Sequence, residues 1–243
     1  MASRQEEKER RKQERIERER AEAAAAQRKR LIQIVAGVVV AAAVTVGVAV
    51  AAMDGGKDDT AGPDTSPAPK VAIPDRKITD LEDAAKAASC VLTHPPIEGD
   101  NHVTTKVEYK SNPPTSGDHV PPQQVASDGD YSGGVAPPPE RYVHALEHGR
   151  IIIQYKPGLP QRRVDQLVTL FTEGSKTDFG IDSINGSYTL LMPNNTKMKP
   201  EVAATAWGHM LACEKFNDKT FDAIRAFRQR YVLQGPEKVT QPE

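Results

Sequence analysis

Residues 31–53 carry no charged side chain, and only Gln33 and Thr45 among them are plainly polar. Wound as an α-helix, such a run reaches roughly 34 Å, enough to cross a hydrocarbon core of about 30 Å. It divides the chain into a short head and a long remainder. Arg28, Lys29 and Arg30 precede the run and Asp54 follows it, so the positive-inside bias places the head in the cytoplasm. Ala49-Val50-Ala51 is similar to a signal-peptidase site, but the apolar run and the segment before it are both too long for a signal peptide. The expectation is an uncleaved signal anchor at 31–53. Its partner is the lipid bilayer, and the rest of a single-pass membrane protein lies outside the cell membrane.

Charge follows the same division. The formal net charge of the 243 residues is −1. Residues 1–30 hold 11 basic and 7 acidic side chains, and the remainder holds 21 and 26. The head reads as a charged cytoplasmic arm, with Glu6/Arg10, Glu7/Arg11 and Glu14/Arg18 spaced i,i+4 on a solvated helix. The acidic remainder has no basic face for nucleic acid. No protein partner follows from the sequence. Residues 54–75, rich in Gly, Pro, Asp, Thr and Ser, read as a disordered linker. The folded domain is expected at 76–237, with a tail at 238–243.

The two cysteines, Cys90 and Cys213, lie far apart and form no CxxC pair. In an oxidising compartment two cysteines in one domain most simply pair. The rival is a soft-metal site, using Cys90 with His94, or Cys213 with His209 and Met210.

The expected fold class is α+β, a small mixed sheet packed with two or three helices. Thr79-Asp80-Leu81-Glu82 reads as a capping box opening a helix over 80–90. Val164, Leu167, Val168 and Phe171 fall at i, i+3, i+4 and i+7, predicting a helix over 162–173. Phe221, Ile224, Phe227 and Tyr231 predict another over 219–233. Strands are expected at 102–109, 151–155, 188–192 and, with a bend at Gly208, in 202–213. Residues 110–141 contain Pro113-Pro114, Pro121-Pro122 and Pro137-Pro138-Pro139. That composition excludes regular helix or sheet and predicts a long ordered loop, with Ser116, Tyr131 and Trp207 as candidate supports.

Several pieces together are similar to the bacterial family called domain of unknown function 3105. They are Asn112-Pro113-Pro114-Thr115-Ser116-Gly117 with His119, Gly129 with Tyr131, and Val143-His144-Ala145-Leu146-Glu147-His148-Gly149. Ala206-Trp207-Gly208 and Gly235-Pro236-Glu237 complete the set. The resemblance spans roughly residues 80–237. It implies an exported domain behind one membrane span and carries no established activity.

The chemistry concentrates in His144-Ala145-Leu146-Glu147-His148. In a strand, the two imidazoles would stand about 13 Å apart. In a helical turn they are neighbours, and Gly149 suits the C′ position of a short helix over 140–148. His119 on the loop is the natural third ring. Three readings stand open. His119, His144, Glu147 and His148 could hold a metal, with Zn²⁺ or Cu²⁺ suiting such ligands. His144-x-x-Glu147-His148 matches the H-x-x-E-H pattern of zinc metallopeptidases, with Glu147 as general base. Or the same groups form a hydrogen-bonded cluster that pins the loop in a cell-envelope interaction module. Ring nitrogens converging within about 4 Å favour the metal, because Zn–N bonds are near 2.0–2.1 Å.

Overall fold

The computed structural model describes residues 62–63, 71–173, 175–176, 182–183 and 186–237. The charged arm, the apolar run expected to span the membrane, most of the linker and the tail at 238–243 lie outside the described residues. Among the described residues no helix is long and apolar enough to cross a membrane.

A six-stranded mixed sheet forms the centre. In chain order the elements are α1 (Leu81–Ala88), β1 (Cys90–Thr93), β2 (Gly129–Asp130), α2 (Pro139–Glu147), β3 (Ile151–Tyr155), α3 (Gln161–Thr172), β4 (Ser175–Lys176), β5 (Asp182–Ser183), β6 (Thr189–Pro193), β7 (Val202–Ala206), β8 (His209–Cys213) and α4 (Thr220–Tyr231). The large sheet runs β1-β8-β7-β3-β6-β2, and β4 pairs with β5 alone. β6 is parallel to both β3 and β2, and the remaining pairings are antiparallel.

β3 explains why the sheet is covered on both sides. All five of its residues are buried. Ile151, Ile153 and Tyr155 belong to a core shared with Leu81 and Ala84 of α1, Leu167 of α3, and Ile224 and Phe227 of α4. Ile152 belongs to the opposite core, with Tyr142, Val143 and Leu146 of α2, Leu190 and Met192 of β6, and Tyr131. Side chains alternate between faces along a strand, so an unbroken apolar run needs a cover on each. Full burial of each isoleucine contributes about 1.5–3 kcal/mol.

Several expectations need correction. Asp80, not Thr79, caps α1, its side chain accepting from the Asp83 amide at 2.9 Å. Residues 71–78, partly assigned to the linker, are held by the domain. Thr169 donates to the Val71 carbonyl, Gln166 to that of Ala72, and Asp222 accepts the Lys77 and Ile78 amides. Cys90 begins strand β1 rather than ending a helix. Residues 202–213 form two strands, with Ala206 opposite His209 and Trp207-Gly208 as the turn. Gly208 sits at φ +71°, where L side chains are disfavoured.

The predicted strand at 102–109 is absent; only a bridge between His102 and His119 forms there. Instead of a ladder, amides in this stretch and just after it find single carboxylates. Glu140 accepts from the Val107 amide, and Glu98 from the amides of Lys110 and Ser111. The proline-rich segment is less irregular than expected. It contributes a short 3-10 turn at Pro122–Gln124, the edge strand β2 and the start of α2.

Cys90 and Cys213 face each other across β1 and β8 and are disulfide-bonded at 2.03 Å. Both sulfurs are therefore consumed, which excludes the soft-metal alternative built on either. Met192 and Met198 lie buried in the protein interior.

Candidate metal centre

α2 decides the geometry of His144, Glu147 and His148. Pro139 opens the helix where a missing amide costs nothing. Gly149 ends it at φ +80°, and a Cβ there would come within 2.6 Å of Leu233 Cα. Residues i, i+3 and i+4 share one helical face, so the imidazoles and the carboxylate project together. His144 Nε2 lies 3.0 Å from His148 Nε2.

His119 reaches this face from the proline-rich segment. Its amide donates to the Asn101 carbonyl, and its carbonyl accepts from the Val103 amide at 2.7 Å. The same bridge sets His102 beside it, with ring centroids 5.0 Å apart. The His102 ring also stacks on His144 at 5.0 Å. Around them, Ser116 Oγ accepts from the Glu98 amide, and the Thr115 carbonyl accepts from Gly208. The Trp207 ring stands edge-on to His119, with centroids 6.1 Å apart. Tyr131 is buried and donates to the Ser127 carbonyl. Tyr109 packs against Gly117, where a Cβ would meet its ring at 2.7 Å.

The protonation pattern follows from the carbonyls. His119 Nδ1 lies 2.8 Å from the Gly117 oxygen, and His144 Nδ1 lies 2.6 Å from the Val120 oxygen. A carbonyl only accepts, so each ring donates through Nδ1, and in the neutral ring Nε2 is a lone pair. Burial lowers the His144 pKa to about 4; the Val120 contact opposes this, and neighbouring imidazoles reinforce it. At neutral pH the His144 ring is thus uncharged.

His119 Nε2 lies 3.0 Å from Glu147 Oε2. The geometry is not that of a hydrogen bond, and among the described residues this buried nitrogen has no hydrogen-bond partner. Burial raises the Glu147 pKa; His119 and His102 pull it down, and Glu237 pushes it further up. One ring nitrogen or carboxylate oxygen from each of His102, His119, His144 and Glu147 lies within 4.8 Å of the others. A second group comprises Glu147, His148 and Glu237, with His148 Nε2 3.3 Å from Glu237 Oε2.

The sequence model of a family described as proteins of unknown function (DUF3105) matches residues 102–243. The chain belongs to that family. No curated protein and no solved structure matches it. The matched region includes all six residues of the two groups. The four predicted ligands, His119, His144, Glu147 and His148, do come together, although His148 falls in the second group. His102 and Glu237 were missed. The sequence places His102 at the start of an expected strand. Glu237 closes the Gly235-Pro236-Glu237 piece, which enters the family resemblance but not the expected ligand set.

Proposed function

We propose that this domain is a metal-binding module that holds a divalent transition ion between His119, His144 and Glu147, with His102 completing the set. The observation that carries the reading is the meeting of His119 Nε2 and Glu147 Oε2 at 3.0 Å without a hydrogen bond. A lone pair and a carboxylate buried face to face are costly unless a proton or a cation stands between them. The back-side carbonyls on His119 and His144 are what metal-ligating histidines use to fix tautomer and aim. A tetrahedral ion with bonds of 2.0–2.1 Å wants ligand atoms about 3.3 Å apart, so small side-chain rotations close this set. Imidazoles with a carboxylate suit Zn²⁺ or Cu²⁺ better than the hard cations.

The peptidase reading needs Glu147 free to activate water. Here that carboxylate points at His119, as a ligand would, and α2 has only nine residues. The test is elemental analysis of tag-free full chain, stripped with chelator and reloaded with Zn²⁺ or Cu²⁺. At least one ion per chain is expected. His119→Ala should lose that ion and speed proteolysis within residues 110–141. Faster proteolysis of a protein that never takes up metal would establish the hydrogen-bonded cluster instead.

The same proposal places the module outside a membrane, behind an anchor at residues 31–53. The disulfide supports this, since such bonds persist in oxidising compartments. Protease added to intact spheroplasts should digest the domain; complete protection would refute the orientation.

A further inference from the structure

The two ligand groups share Glu147. Resting on the metal-binding reading above, we infer that the site takes two divalent transition ions. The second is held by His148 and Glu237, and Glu147 bridges the pair.

Three observations point this way. First, His144 Nε2 and His148 Nε2 stand 3.0 Å apart. The His144 nitrogen is a lone pair, because Nδ1 donates to Val120. If each nitrogen binds its own ion, the ions lie side by side, and carboxylate-bridged metal pairs sit about 3.5–4 Å apart. Second, His148 Nε2 also faces Glu237 Oε2 at 3.3 Å. One Nε2–H cannot serve both His144 and Glu237 fully, whereas a cation beside His148 satisfies the ring and the carboxylate together. Third, the chain builds Glu237 into place. The Leu233 amide donates to the Gly149 carbonyl at 2.7 Å, and the Glu237 amide to the Glu147 carbonyl at 3.1 Å. Between them Gly235 lies so close to the end of α2 that a Cβ would overlap the Glu147 carbonyl oxygen. Only glycine lets the segment cross there, and the crossing delivers a carboxylate to His148.

Each set has one exposed member, His102 in the first and Glu237 in the second. His119 and His144 are fully buried, while the Glu237 side chain is 56% exposed. The second ion therefore meets solvent at Glu237, as the first does at His102, and water or an anionic oxygen ligand can complete its coordination there.

The experiment is a calorimetric titration of the stripped full chain with Zn²⁺ alone, with bound metal counted after gel filtration. Wild type should retain two ions and Glu237→Gln one. The substitution is on an exposed side chain, and an unchanged circular dichroism spectrum would show that the variant is folded. Loading with Cu²⁺ adds an independent readout. Two ions sharing a carboxylate should give spin-coupled resonance in wild type and an isolated Cu²⁺ spectrum in Glu237→Gln. One ion in wild type would overturn the inference and leave the single-ion reading standing. Two ions in both proteins would remove Glu237 from the site and overturn it as well. No ion in either would overturn both readings.

Discussion

Opening the Cys90–Cys213 bridge should lower the thermal unfolding midpoint by on the order of 10–15 °C. The two residues are 123 apart in sequence. In the chain-entropy model, closing a loop of that length removes about 4–5 kcal/mol of unfolded-state freedom. For a domain of this size, each kcal/mol is worth roughly 2–4 °C. The location adds to the effect. The bond joins β1, the edge strand that continues from α1, to β8, which is paired through β7 to the buried β3. Without it, α1 and β1 are held by packing, the β1–β8 ladder, the Glu82–Arg230 ion pair and the hydrogen bond from Asn217 to the Ala88 carbonyl. Thermal melts of the oxidised protein, of the reduced protein and of Cys90→Ala/Cys213→Ala would measure it. A change below about 3 °C in both comparisons would show that the link constrains little.

The parts of this fold that the sequence discloses are those whose periodicity matches their packing. α3 buries one face, and α4, although buried all round from Thr220 to Arg228, keeps its large apolar residues at helical spacing, so Val164, Leu167 and Phe171, and Phe221, Ile224 and Phe227, announce themselves. β3 is legible because a short β-branched run cannot be left exposed. The failures have a common cause. Where backbone groups are satisfied by side chains, local pattern carries no signal. Val107 looks like a strand residue, yet its amide goes to Glu140, thirty-three positions away. β2, of two residues, is a strand only because β6 lies beside it.

The candidate centre divides in the same way. His144, Glu147 and His148 are spaced for a helical face, and His119 is conspicuous on a loop that needs anchors. His102 has no such mark, because its place comes from one bridge to His119 across 17 positions. Glu237 is equally silent. What brings it to His148 is the close passage of Gly235 over the end of α2, a contact between segments that share no periodicity.

Replacing Asp128 by alanine should cost about 3–5 kcal/mol, a large share of a total stability of the order of 5–15 kcal/mol. Its partner Arg150 has no exposed surface, with Nε 3.2 Å from Asp128 Oδ1. Arg150 also donates through Nη1 to the His148 carbonyl and lies over the Tyr188 ring. Asp128 Oδ2 accepts the Tyr188 amide at 3.1 Å. One carboxylate thus ties the proline-rich segment to the residue before β6 and neutralises a guanidinium beneath the end of α2. Alanine leaves the buried guanidinium without the Asp128 carboxylate, and removing one partner of such a pair costs far more than the pair itself contributes. Asparagine keeps an acceptor for Arg150 or Tyr188 and should be milder than alanine. Urea unfolding should show the midpoint falling in the order wild type, Asp128→Asn, Asp128→Ala. Because Arg150 bonds the His148 carbonyl, the alanine variant should also release the proposed second ion more readily before it unfolds. A shift under about 1 kcal/mol for alanine would mean that Arg150 is compensated by its other contacts.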